Sequence, residues 1–509
     1  MSTPKDNSEA NAPSVAGRAI AGGAWLTLAR FGAHSFRIGR LLLLAHLLGD
    51  EGPSTLGVFG VALLAVSTAE SLSQTGLSQA LIQRQGDING FLPSAWSAQV
   101  LRGLLLGAVM YVGAPAIASF FEKPDAEPAL RWLALAPCLR GLNSIGVLFF
   151  AKSLKFKKTF ALEIGISGTD FVVTAVCVAI APTVWGLVIG HLSGLAVGVL
   201  ISFALSEHKS RMGFEWARLR ELAGFSSWVF VTALIGFLLT SGGDAVIGKM
   251  LPAAALGFYQ MASRLSTFPT MEIARVLAAA TFPAFSMLQH DPERLGRAFL
   301  KSFLVSATMS VGIAGAIIAL ADDVVALLLP AEWAHVAQVM QTLAVWGACR
   351  GLGATQSVVF QAAGHPRLAA LFSGFMLVVF AVFVVPVVRE HGLLGVSLLL
   401  AGIGVVAQVL RYPVAARVLK IPLLGILARV AAPLLAGALA AVAALQVLTF
   451  VDALPVARLV VGALVYGGTF IAALGGTGHV MRVDALAPLS EVLRTLLAKL
   501  RRQPAQNAQ

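Results

Sequence analysis

The chain has 509 residues, of which 57% are hydrophobic and only 12% charged, and its mean hydropathy is +0.83. This composition excludes a water-soluble enzyme and points to an all-α polytopic membrane protein. The formal net charge of +12 is no sign of a nucleic-acid partner, because Lys and Arg collect in the cytoplasmic loops of membrane proteins.

Residues 1–17 read as a disordered cytoplasmic N-terminus without signal-peptide character. Crossing about 30 Å of hydrocarbon takes roughly 20 helical residues. Cutting at charge clusters and at Gly/Pro punctuation then predicts about fourteen spans: 20–48, 56–82, 90–117, 129–151, 160–181, 184–206, 222–250, 253–287, 297–321, 334–361, 366–388, 392–415, 422–447 and 455–475. Very short turns separate 160–181 from 184–206 and 366–388 from 392–415. The tail, 484–509, is either a solvated cytoplasmic segment or a short interfacial helix. In the second case Leu493, Leu496, Leu497 and Leu500 form its apolar face, and Arg494, Lys499, Arg501 and Arg502 meet anionic lipid. Cys138, Cys177 and Cys349 lie in apolar stretches with no ligand spacing and read as packing residues, so neither a disulfide nor a metal is expected.

Loop charges orient the spans. With the N-terminus in the cytoplasm, the basic breaks fall on that side: Lys152, Lys155, Lys157 and Lys158; Lys209, Arg211, Arg218 and Arg220; Arg294, Arg297 and Lys301; Arg417 and Lys420. The opposite breaks carry Asp50 and Glu51, Glu122 to Glu127, Asp322, Asp323, Glu332 and Asp452. The positive-inside rule therefore places both termini in the cytoplasm.

Charges within the spans carry the functional reading, since a lipid-facing arginine is costly and rare. Arg30, His34 and Arg37 stand at i, i+4 and i+7 in the first span and share a face, with Arg40 at its edge. Such a stripe lines a wet cavity or snorkels to the membrane surface. Glu70 lies deep in the second span, Arg140 in the fourth, Asp170 in the fifth and His191 in the sixth. Asp244 lies in the seventh, Arg264, Glu272 and Arg275 in the eighth, and Arg350 in the tenth. For Glu70, Asp170, Asp244 and Glu272 the alternatives are an interhelical ion pair or an ion-coupling site; Glu272 and Arg275, three apart, can pair with each other. Arginines outnumber acids at mid-span, and surplus positive charge favours an anionic substrate. Gly186, Gly190, Gly194 and Gly198 recur every four residues and read as close helix packing. Catalytic, nucleotide-binding and metal-binding signatures are not found.

The second and eighth spans open alike, with LGVFGVALL from Leu56 and LGFYQMASR from Leu256, six spans apart. An even number keeps both copies in one orientation, so the expected relation is a pseudo-two-fold axis along the membrane normal, which permits rocking of two lobes around a central cavity.

Three stretches complete the picture: LLLLAHLLG followed by LGVFGVA, ALIQRQGDINGFLPSAWSAQVLRG from Ala80, and GGDAVIGKMLPAAALGFYQMASRLSTFP from Gly242. In these the chain resembles the bacterial polysaccharide and O-antigen flippases of the multidrug/oligosaccharidyl-lipid/polysaccharide exporter superfamily, in the lipopolysaccharide or exopolysaccharide biosynthesis branch. The resemblance implies a fold like that of the multidrug exporters (MATE): a six-helix N-terminal lobe over 18–206, a six-helix C-terminal lobe over 222–415, and two further helices over 422–475. It implies translocation of a polyprenyl-pyrophosphate-linked oligosaccharide by alternating access, without a cofactor, coupled in some members to protons or sodium. The implied partners are that lipid-linked sugar, membrane lipids and polysaccharide polymerase or export machinery. Arg30, Arg37, Arg40, Arg140, Asp244 and Arg264 match charged family positions, Arg140 loosely. The related alternatives are a lipid II flippase and a small-molecule exporter of the same fold.

The orientation has a direct consequence. Cysteines introduced at Glu127 and Asp452 should react with an impermeant thiol reagent in whole cells, whereas one at Lys155 should not; the reverse labelling pattern rejects the assignment.

Overall fold

The computed structural model describes residues 15–73, 81, 89–152, 156–206, 211–215, 226–451 and 454–480. The expected tail and all but the last three residues of the expected disordered start lie outside these; Val15–Gly17 already belong to the first helix. Every regular element among the described residues is helical. In chain order they are α1 (Val15–Leu47), α2 (Gly52–Leu72), α3 (Leu92–Phe120), α4 (Ala126–Leu133), α5 (Leu135–Leu142), α6 (Leu148–Lys152), α7 (Phe156–Ile180), α8 (Val184–Leu205), α9 (Ser226–Met250), α10 (Ala253–Met287), α11 (Pro292–Leu328), α12 (Val336–Ala362), α13 (Pro366–Val418), α14 (Leu423–Leu448) and α15 (Pro455–Val480).

The expectation of about fourteen clear spans needs correction: among the described residues eight helices are long and apolar enough to cross a membrane. There are two physical reasons. The long helices α1, α10 and α12 fall short of that apolarity because they carry the charged and polar residues singled out above. The expected span 129–151 is instead α4, α5 and α6, interrupted where Asn143 and Ser144 turn to ψ of 139° and 130°. There the Ser144 amide donates to Ser202 Oγ (3.0 Å), so the exposed backbone group is satisfied inside the protein. The spans expected at 366–388 and 392–415, by contrast, are both helical, and α13 carries them as two helices joined across a kink. It turns at Gly392, whose φ of 57° suits a residue without Cβ.

The chain forms two compact units, Met1–Phe237 and Leu238–Gln509, and the division falls inside α9. In the first unit α7 packs between α1 and α8, while α3 packs on α4 and α5, and α2 lies against α4. The glycines at four-residue intervals in α8 are the contact with α7. A Cβ on Gly190 would collide with the Thr174 hydroxyl and lie 2.9 Å from the Asp170 carbonyl oxygen. On Gly194 it would lie 2.7 Å from the Ile166 carbonyl oxygen, and on Gly198 2.7 Å from Ile166 Cγ1. In a medium with no hydrophobic drive between helices, this backbone-to-backbone approach is what holds the pair.

In the second unit α12 packs against α10, α11 and α13, and one core joins Phe285, Phe299, Phe303, Phe360 and Tyr412. The helices α14 and α15 pack on α11 through Ala436, Ala440, Ala444, Tyr466 and Phe470, so they belong to this unit. Tyr466 donates to the Gly312 carbonyl (2.8 Å), and Arg458 reaches Asp323 (2.7 Å). Elsewhere the helices present large apolar side chains outward, such as Val112, Ile180, Leu200 and Leu464, all at least 70% exposed, as a lipid-facing surface requires.

The glycine contacts predict a difference between two substitutions. G190V should destabilise the detergent-solubilised protein by about 1–3 kcal/mol through overpacking. G402A, where a Cβ meets nothing within 4 Å, should be neutral or slightly stabilising. Thermal melts of the two variants check this.

Candidate functional site

In the first unit the mid-helix charges are sorted by helix face. The face of α1 with Gly32, Phe36 and Gly39 meets α7: a Cβ on Gly32 would lie 2.6 Å from Ile164 Cδ1, and Phe36 packs against Phe171 at 5.8 Å between ring centroids. Arg40 turns to that side. It is 4% exposed and its Nη1 donates to both oxygens of Asp170, at 2.7 and 2.6 Å. Thr174 Oγ1 donates to the same carboxylate at 3.3 Å, and Phe59 lies 5.7 Å from the guanidinium carbon. Arg30 and Arg37, by contrast, are exposed, with Arg37 Nε donating back to the Ala33 carbonyl at 3.2 Å. His34 between them is half-buried. The four residues of the predicted stripe thus divide: Arg40 is drawn into the helix packing, while Arg30 and Arg37 have no carboxylate partner among the described residues.

A second pair stands beside the first. Arg140 on α5 is ion-paired with Glu70 on α2, and Arg102 on α3 donates to the Glu70 carbonyl (2.9 Å) and to Ser73 Oγ (2.9 Å). The turn after α5 is held by Gln99, whose amide donates to the Gly141 carbonyl at 3.0 Å, and by Trp96, which donates to the Asn143 carbonyl at 3.1 Å. His191 on α8 lies edge-on to Phe59 with 6.3 Å between centroids, in electrostatic range of Asp170, Arg140 and Arg40. One network therefore joins α1, α2, α5, α7 and α8 within the unit.

The second unit has its own group. Asp244 on α9 is half-buried with Arg264 of α10 as its electrostatic neighbour. Tyr259, buried, sets its hydroxyl against Gly243, where a Cβ would lie 2.7 Å away. Glu272 is 3% exposed and ion-paired with Arg275, the i,i+3 partner. Arg350 on α12 lies over Trp346 at 5.8 Å, within electrostatic range of Arg275 and Tyr259, and has no carboxylate partner among the described residues. So each of the four acids has an arginine beside it, and Arg30, Arg37 and Arg350 supply positive charge beyond those pairs. Among the described residues no group of His, Cys, Asp and Glu is arranged to hold a metal ion.

Several participants are absent from the sequence reading. Arg102 was not singled out there, yet it holds the end of α2 through the Glu70 carbonyl and Ser73 Oγ. Thr174 gave no signal except its place one turn after Asp170. Arg411, near the end of α13, is 5% exposed and was passed over because it stands close to basic loop residues.

Residues 43–338 match the family described as polysaccharide biosynthesis protein. The chain belongs to this family. The lipopolysaccharide biosynthesis protein WzxC of Escherichia coli (strain K12) is 22% identical to this chain over 401 residues, 78% of this chain and 81% of that protein. The succinoglycan biosynthesis transport protein ExoT of Rhizobium meliloti (strain 1021) is 23% identical over 325 residues, 63% of this chain and 64% of that protein. The fold of this polysaccharide biosynthesis family member is similar to that of the lipid II flippase MurJ in an inward closed conformation (TM-score 0.69, 15% identity, 87% of this chain and 97% of that one). It is also similar to an inward-facing multidrug resistance MATE family transporter of the MOP superfamily (TM-score 0.56, 19% identity, 78% and 94%).

The split within the arginines is open to measurement. Removing one partner of the buried Arg40–Asp170 pair, by R40A or D170A, should cost about 3–5 kcal/mol, because the other charge is left uncompensated in a low dielectric. The double replacement R40L/D170L should recover much of the loss. R30A, on an exposed face, should change stability by no more than about 0.5 kcal/mol. Unfolding of the purified variants in one detergent checks all four.

Proposed function

We propose that the chain is a flippase that carries a polyprenyl-pyrophosphate-linked oligosaccharide repeat unit across the bacterial inner membrane by alternating access, for exopolysaccharide or lipopolysaccharide assembly. The observation that carries this reading is the pair of exposed arginines, Arg30 and Arg37, on one face of a helix in a membrane protein of the polysaccharide biosynthesis family. An exposed guanidinium in such a chain requires water or an anion rather than lipid. A pyrophosphate suits it: the planar fork donates to two phosphate oxygens at once, and the surplus of arginine over acid matches the head's charge.

The task requires no bond to be made or broken. The pyrophosphate and sugars need a hydrated, cationic surface, while the polyprenyl chain remains in the bilayer. Alternating access exposes the arginines to one side of the membrane and then to the other. In this reading Arg30, His34, Arg37 and Arg350 meet the substrate, with Arg140, Arg264 and Arg275 contributing field. Arg40 with Asp170, Glu70 with Arg140, and Glu272 with Arg275 keep the helices in place. Asp244, beside Arg264, we read as a structural partner rather than a site for proton or sodium coupling. The curated relatives named for polysaccharide pathways favour this substrate class over lipid II, since the likeness to MurJ is one of fold. The arginine surplus disfavours a cationic drug as cargo.

Deleting the gene should cause a lipid-linked oligosaccharide to accumulate on the cytoplasmic side, and mass spectrometry of extracted lipids should identify it. Complementation by the R30A/R37A double variant, at normal membrane abundance, should restore less than a tenth of polymer export, and the two lysine replacements should restore it only in part. Full export by the double alanine variant removes these residues from the mechanism. Accumulation of lipid II instead would move the chain to the peptidoglycan pathway.

A further inference from the structure

Arg411 lies in α13 beyond the turn at Gly392, outside the groups assigned above. It is 5% exposed, and among the described residues no carboxylate pairs with it. Its guanidinium carbon lies 5.1 Å from the centre of the Phe372 ring. Its Nη1 occupies the space at Gly353 of α12 where a Cβ would collide with it, and that same Cβ would lie 3.2 Å from Gln408 Nε2. Gln408 donates this nitrogen to the Cys349 carbonyl at 2.6 Å, which ties the turn carrying Arg411 to α12. Cys349, Gly353 and Gln356 stand at i, i+4 and i+7, so they share the face of α12 that meets this turn. Gln356 is 0% exposed, and neither atom of its amide has a partner.

A buried charge without a counter-charge and a buried amide without partners are each unfavourable. Here they occur on one helix–helix contact. A water molecule could serve the amide but would not neutralise the guanidinium, and the ring of Phe372 offsets the charge only in part. We propose that Arg411 and Gln356 bind a small monovalent inorganic anion, such as chloride, between α12 and α13. One guanidinium balances one negative charge, so a divalent oxyanion would leave charge uncompensated. The ligand must also be compact, because Gly353 leaves room only for the guanidinium itself. The Arg411 and Gln356 N–H groups are the donors, and the Gln408–Cys349 bond fixes the spacing of the two helices. The ion would hold the second half of α13 on α12, and none of its ligands belongs to the substrate reading.

The test uses the full-length purified protein in detergent. Its melting temperature is measured against sodium chloride and sodium bromide, with sodium gluconate holding ionic strength constant. A saturable rise of several degrees with either halide is expected, absent for sulfate. R411Q should lose the halide dependence. Q356E, which places a carboxylate on the face that meets Arg411, should lose it while melting no lower than the wild type in gluconate. Anomalous diffraction from bromide-grown crystals should show the ion beside Arg411, a readout that stands even where R411Q does not fold. No halide-specific rise in the wild type, an unchanged rise in Q356E, or bromide bound only elsewhere overturns the proposal.

Discussion

An ionised side chain in hydrocarbon must find a counter-charge, water or a ligand, and this one constraint organises the protein. It explains why Asp170, Glu70 and Glu272 are each held by an arginine, and why those pairs join different helices or adjacent turns of one. It also gives meaning to the exceptions. Arginines that the packing does not neutralise are where we propose that an external anion binds.

Pairing demands close helices, and the small residues supply them. In the first unit, the glycines of α8 let it approach the backbone of α7 at Asp170 itself, while Gly32 and Gly39 admit α1 from the other side. On α3 and α5, Gly103 and Gly141 meet over Gln99 and Pro137, which sets Arg140 against Glu70. The ion pairs and the glycine contacts are therefore parts of one arrangement. Opening either would expose both backbone and charge.

Much of this was legible in the sequence. The apolar runs gave the helices, and the positions of the mid-helix charges were readable by number. The Glu272–Arg275 pair followed from a spacing of three, and the close packing of α8 from glycines four apart. The Arg40–Asp170 pair did not, because its members are 130 residues apart and the choice of face on α1 depends on which glycines meet α7. The fourth span was misjudged since Asn143 and Ser144 sit amid apolar neighbours that outweigh them in any long window. Their turn is stabilised by Ser202, a partner that local sequence does not reveal. Arg411 was hidden by its position, since an arginine near a span's end reads as part of the loop, and only Gly353 across the contact shows that it points inward.

The glycine row of α8 has a mechanical consequence. The small positions face α7 at each turn, while the residues one place along the row include Leu187, His191 and Leu195. Sliding or rotating α8 by a single residue would drive those side chains into the carbonyl oxygens of Ile166 and Asp170. The helix pair has one register and no neighbouring one of similar energy. Any transport cycle must then move α7 and α8 together as a stiff strut, and bending has to occur at places such as Gly392, where the backbone already departs from the helix.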